Sequence, residues 1–189
     1  MANLTSFFNK AATGCLTQQQ TDANSLTLLD PSAAPKLQML LEQCTDYYVM
    51  ADGCPPAPSA AADEFGYVPA GLSPDSKFIY AAENQQGNYH AMIEGLRHYP
   101  SSGVWYIGLM LVHPTLRSTG VGSRLFARFE ALALTQGARE LRLCVFDQNP
   151  ESLKFWTRLG FEFRRKVAVQ SFGVKLHSRT ELSKSLVGQ

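Results

Sequence analysis

The run Val112-His113-Pro114-Thr115-Leu116-Arg117-Ser118-Thr119-Gly120-Val121-Gly122-Ser123 has the makings of an anion site. It lies between an apolar run that reads as a strand and an amphipathic run that reads as a helix. The first amides of a helix have no partner inside it, and the macrodipole favours negative charge there. Gly120 and Gly122 carry no side chain, so a phosphate can approach the backbone. Arg117 adds a cation on the approach. Arg117, Ser118, Thr119, Gly120, Val121, Gly122 and Ser123 are therefore the expected phosphate loop, with the amides from Thr119 to Ser123 as its main donors.

Three phosphate-loop patterns compete for this run. A Walker loop needs a lysine that is missing here. A dinucleotide fingerprint needs a third glycine where the chain has Leu125, although Asp147 is placed to imitate the ribose-binding acid. The third pattern, Arg/Gln-x-x-Gly-x-Gly/Ala, is met at every fixed position by Arg117 through Gly122. A second block follows in the run Asn149-Pro150-Glu151-Ser152-Leu153-Lys154-Phe155-Trp156-Thr157-Arg158-Leu159-Gly160-Phe161. Together the two blocks resemble the GNAT superfamily of N-acetyltransferases over roughly residues 104 to 163. A looser likeness runs from Asp46 through Lys77 to Tyr99.

The resemblance implies an α/β fold: a mixed, mostly antiparallel central sheet flanked by helices, with two splayed central strands. Those strands would be residues 104–112 and 139–146, and the pantetheine arm of acetyl-CoA would fill the gap between them. It also implies backbone amides at Leu111 and Val112 as donors to the reacting carbonyl oxygen. Asn149 and Ser152 would contact the pantetheine. Trp156 stands where many members have a Tyr that protonates the departing sulfur. Indole N–H donates a hydrogen bond but is no usable acid, so Trp156 is expected to pack against the cofactor or its own helix. A thiol pKa near 8.5 allows the thiolate to leave without full protonation.

Transfer to an amine also requires a neutral amine, whose free pKa is about 10.4. Glu94, in the strand before the central one, is the best-placed carboxylate for a catalytic base. Alternation puts it on a strand face with His90 and His98. Glu83 and Asp147 are lesser candidates, and a water relay would leave no single base. Tyr47, Tyr48 and Tyr106 are aromatics available to an acceptor pocket or to the core.

Periodicity supplies the elements that must position these residues. Helical spacing of Leu37, Leu40, Leu41, Cys44, Tyr47 and Tyr48 predicts one helix over 35–50, and a short helix follows at 59–65. Strands are expected at 25–29, 77–83, 89–99, 104–112 and 139–146, with a closing pair at 161–170 and 174–182. Helices are expected from 120 to 136, closed by Gly137, and from Pro150, capped by Asn149 and stopped by Gly160. Residues 1–24 read as a polar appendage with a short helix near its start, and 25–189 as a single domain.

Composition narrows the function classes. The chain has 189 residues and a formal net charge of +1, so no global field draws it to nucleic acid or an anionic membrane. No apolar run approaches the length of a membrane span. Cys15, Cys44, Cys54 and Cys144 show no metal-binding spacing, and a cytoplasmic location with free thiols is expected. The expected activity is transfer of an acetyl group from acetyl-CoA, by direct attack in a ternary complex, to a small-molecule or peptide amine. The closing strand pair offers an edge to a second copy, which would give a homodimer. A non-catalytic CoA-binding sensor or scaffold, and a nucleotide-dependent oxidoreductase, remain as alternatives.

Overall fold

Two apolar faces run through the middle of this chain, and the fold separates them with a sheet. The computed structural model describes residues 25–187, so the 1–24 appendage and its expected helix lie outside the described residues. In chain order the elements are β1 (Leu26–Leu28), α1 (Ala34–Gln43), α2 (Thr45–Ala51), α3 (Ala60–Gly66), β2 (Lys77–Glu83), β3 (Tyr89–Leu96), β4 (Val104–Val112), α4 (Val121–Thr135), β5 (Glu140–Phe146), α5 (Pro150–Arg158), β6 (Glu162–Phe172) and β7 (Lys175–Ser185). Seven strands form one sheet in the order β1-β2-β3-β4-β5-β7-β6, antiparallel except for the parallel β4–β5 pair. This is the mixed, mostly antiparallel α/β architecture expected from the sequence.

Strand β2 is buried on both faces, which explains its continuous apolar character. Phe78 and Tyr80 pack with Trp105, Phe126 and Phe129 under α4 and α5. The Phe78 ring lies 5.4 Å from Trp105 and 5.2 Å from Phe129. On the other face Ile79 and Ala81 join Met92, Leu109 and Leu111 beneath Leu37, Leu40, Leu41 and Tyr48 of α1 and α2. Each large side chain withdrawn in this way contributes about 1.5–3 kcal/mol.

Two expected elements end early. The single helix over 35–50 is two helices, broken at Cys44 (φ −95°, ψ 27°). The Cys44 amide is shared between the carbonyls of Leu40 and Leu41, and the Thr45 hydroxyl donates to Glu42 O at 2.6 Å. Helical periodicity runs through the break because both helices bury the same face. The strand expected to reach residue 99 stops at Leu96. His98 adopts φ +56° and its Nδ1 accepts the Gly103 amide at 3.2 Å, which closes the turn into β4. His98 therefore does not share a strand face with Glu94.

The decisive irregularities lie on β4. Its register with β3 slips between Glu94 and Gly95, so Gly108 is an extra residue on the β4 side, a β-bulge. Its pairing with β5 covers only Val104–Ile107 against Glu140–Leu143. Beyond Ile107 the two parallel strands part. β5 stays in the sheet because its other edge is paired with β7 from Glu140 to Phe146.

Gly95 sits opposite the bulge because nothing larger fits. A Cβ there would fall 2.0 Å from Tyr106 O and 2.8 Å from Phe78 Cζ. Gly95→Ala should destabilise the protein by about 1–3 kcal/mol, the range for overpacking. A lower urea midpoint at unchanged slope is the expected readout. Gly66→Ala, with nothing within 4 Å of the added methyl, is the control and should leave the midpoint nearly unmoved.

Candidate functional site

Where β4 and β5 part, a small cavity of about 50 Å³ opens between Gly108, Met110, Cys144 and Trp156. It shares Tyr47, Met110, Asn149 and Ser152 with a larger cavity of about 750 Å³. That volume lies in the ordinary range for a ligand pocket, about 300–1,000 Å³. The larger cavity is floored by Leu111 and Val112 and walled by Asp46, Tyr47 and Met50 of α2. The phosphate-loop residues Arg117, Ser118, Gly120, Gly122 and Ser123 form its rim opposite Asn149, Ser152 and Phe155 of α5.

Two residues of the loop are left-handed at the start of α4. Gly120 caps α4 at φ +83°, a left-handed conformation that suits glycine. Ser118 has φ +62°, a strained value for a residue with a side chain. Thr119 and Val121 line neither cavity: Thr119 Oγ1 donates to Leu116 O at 2.7 Å, and Val121 packs on the core. What they can offer a ligand is main chain.

Arg117 is not a free cation. Its guanidinium forms a two-point ion pair with the Asp46 carboxylate, and its Nε donates to Val112 O at 3.1 Å. The guanidinium holds the Asp46 carboxyl below its usual range. Arg117 thus ties the loop to α2 at the cavity rim.

The β4 backbone supplies donors. His113 donates its amide to His90 O at 2.8 Å, and Val112 pairs with Ala91. Alternation in an antiparallel ladder then turns the Met110 and Val112 amides away from β3, toward the open side. Of the two amides expected to meet the carbonyl oxygen, Val112's faces the opening. Leu111's points back toward β3.

Asn149 caps α5 through Oδ1, which accepts the Ser152 amide at 3.1 Å. The buried Trp156 ring meets Phe126 edge-on at 5.4 Å and Phe161 at 5.2 Å, with its margin at the small cavity.

Glu94 lies on the opposite sheet face, among α1–α3. Its carboxylate is buried and Oε2 accepts from Lys77 Nζ at 2.5 Å. A Cβ at Gly108 would fall 2.2 Å from Glu94 Oε1, so this oxygen overlies the bulge at the head of the opening. Burial and then the neighbouring Glu64 push the Glu94 carboxyl up to about 7, against the pull of Lys77. Lys77 is itself held above its usual value by the two carboxylates, which outweigh its burial.

A family model described as the acetyltransferase (GNAT) family matches residues 38–161. The chain belongs to the GNAT acetyltransferase family. The fold is shared with an acetyltransferase from Thermus thermophilus at a TM-score of 0.69 and 18% identity, over 86% of this chain and 97% of that one. A proposed phosphinothricin N-acetyltransferase gives 0.68 and 21%, over 87% and 99%. An IAA acetyltransferase from Bacillus cereus ATCC 14579 gives 0.59 and 17%, over 86% and 99%. No curated protein matches the chain.

In this GNAT chain the structure brings Leu111, Val112, Arg117, Ser118, Gly120, Gly122, Ser123, Asn149 and Ser152 to one cavity and Trp156 to its extension. Glu94 lines neither cavity; its Oε1 lies against Gly108, which lines the small one, from the other face of the sheet. Sequence reasoning missed Asp46, Lys77, Glu64 and Gly108 as site residues. Asp46 and Gly108 carry no local pattern that marks them. The Lys77–Glu94 pair was discoverable from alternation, because the paired strands place residues 77 and 94 on one face, two residues apart in register.

The Glu94 carboxyl gives a stability test. Its folded value of about 7 lies above the ordinary 4.5, so folding tightens proton binding there. That contribution is full below about pH 4.5 and lost as pH rises through about 7. Relative to Glu94→Gln, the wild type should lose stability across this window, measured as urea midpoints in steps of pH. A difference that stays constant would mean that Glu94 ionises as readily folded as unfolded.

Proposed function

We propose that the protein transfers an acetyl group from acetyl-CoA to an amine that approaches from the α1–α3 side. One observation carries the reading: the gap between β4 and β5 runs toward a phosphate-type loop, and a buried carboxylate from the other face lies against Gly108 at its head. The residues present fit the cofactor. The cavity has ligand-sized volume, Gly120 and Gly122 keep the helix start clear, and two β4 amides face the gap without a strand partner.

When bound, acetyl-CoA supplies the acetyl group as an activated thioester. The amides from Thr119 to Ser123 would hold its pyrophosphate, with Asn149 and Ser152 beside the pantetheine arm. The Val112 amide offers a hydrogen bond to the oxygen that gains negative charge, and such preorganised donors are a main source of acyl-transfer catalysis. Glu94 takes the proton that the acceptor ammonium must lose. A carboxyl poised near 7 is partly ionised at neutral pH yet binds that proton well, as a general base should. Trp156 contributes packing and offers no acid, so a leaving thiolate would rely on its own modest basicity.

Calorimetry should detect acetyl-CoA binding to the wild type, and Glu94→Gln should leave it nearly unchanged. With an acceptor found by screening amino acids, polyamines, aminoglycosides and peptide N-termini, Glu94→Gln should lower kcat/KM by about 10²–10⁴-fold. A loss below about fivefold would favour a water relay over Glu94. Tight CoA binding with no turnover on any amine would replace the enzyme reading with a CoA sensor.

Trp156→Phe keeps the ring and should change single-turnover transfer by less than about tenfold. Trp156→Ala should cost about 3–5 kcal/mol of stability. A thousandfold loss in Trp156→Phe, with folding and CoA binding intact, would give the indole N–H a direct role.

A further inference from the structure

Beneath the opening, on the face away from the phosphate loop, three charged side chains from three elements converge. Lys77 opens β2, Glu94 lies in β3, and Glu64 lies in α3, which packs over that face. Lys77 Nζ is 2.5 Å from Glu94 Oε2 and 3.3 Å from Glu64 Oε2. The Lys77 and Glu94 side chains are only 9% and 8% exposed, against 27% for Glu64. Two carboxylates share one ammonium, so the cluster carries an excess negative charge when both are ionised. From α2 comes Tyr47, whose phenol is pushed well above its usual range by burial and then by the charges of Asp52, Glu94 and Glu64. From β4 the contact is Gly108, which brings no charge.

An ammonium placed only to neutralise Glu94 needs no second carboxylate. A buried pair is held best when every remaining polar atom is satisfied. Here the lysine is divided between two acceptors, and Glu94 Oε1 accepts no side-chain hydrogen bond among the described residues. It is the oxygen beside Gly108. We propose that Lys77 and Glu64 are positioning residues: Lys77 fixes Oε2 so that Oε1 is presented at the strand opening, and Glu64 draws on the same ammonium so that Lys77 does not hold Glu94 permanently ionised. This rests on the acetyltransferase reading with Glu94 as base.

The two partners act on Glu94 with opposite sign; a merely structural pair would shift the carboxyl in this way too but leave the kcat/KM–pH profile where it is. Lys77→Met removes the opposite charge and should move the Glu94 titration midpoint up by about one pH unit or more. Glu64→Gln removes the like charge and leaves Lys77 to Glu94 alone, so the midpoint should move down. Lys77→Arg should return it toward the wild-type value. The measurement is a ¹³C-carboxyl NMR titration, with the Glu94 signal assigned by its loss in Glu94→Gln. The acidic limb of the kcat/KM–pH profile should move in the same directions.

Midpoints that stay put, or that move in the same direction in both variants, would overturn the proposal. If Lys77→Met does not fold, Glu64→Gln decides alone: a downward shift supports the clamp and an unmoved midpoint refutes it. The NMR readout needs no acceptor. Opposite shifts without acetyl transfer would therefore count against the enzyme reading, whereas transfer with an immobile midpoint would count against the clamp.

Discussion

Strand β4 is paired along most of its length with β3 but only from Val104 to Ile107 with β5. Main-chain donors and acceptors inside a protein have to find partners. Past Ile107 the open side of β4 finds them outside the sheet: Val112 O takes the Arg117 Nε and the Cys44 thiol, while the Met110 and Val112 amides face the cavity. The Gly108 bulge begins this stretch, and α2, α5 and the phosphate loop gather at its end. The site exists because one ladder stops early.

The sheet also keeps apart two kinds of charge. The phosphate loop and the start of α4, which favour an anion, belong to the face packed by α4 and α5. The Glu64–Lys77–Glu94 cluster, which carries excess negative charge, belongs to the face packed by α1–α3. Like charges brought together in a site of low dielectric would weaken cofactor binding. Placing the two on opposite faces of the sheet avoids that conflict.

Much of this architecture could be read in the sequence, because its elements announce themselves by period and punctuation. β2 and β4 have the expected bounds, and the two glycine-marked helices differ by a residue or so at their ends. The loop glycines and the Asn149 cap were legible for the same reason. The break at Cys44 was not, since both helices bury the same stripe. The early end of β3 was hidden because His98 continues an apparent alternation while its backbone already turns. Glu94 was legible as a carboxylate on the right strand. Its ion pair with Lys77, and the Arg117–Asp46 pair, join residues far apart in the chain, and only the folded sheet reveals them.

The Met110 and Val112 amides have a wider consequence. Work delegated to the main chain is invisible to side-chain substitution: an alanine scan along β4 would change the packing and leave both N–H groups in place. Chains only 18% and 21% identical to this one overlay on its fold at a TM-score near 0.7, so the same strand geometry is built from widely differing sequences. Ester-for-amide replacement of the backbone at position 112 would remove the group itself, something no genetic code change to another L-residue except proline could do.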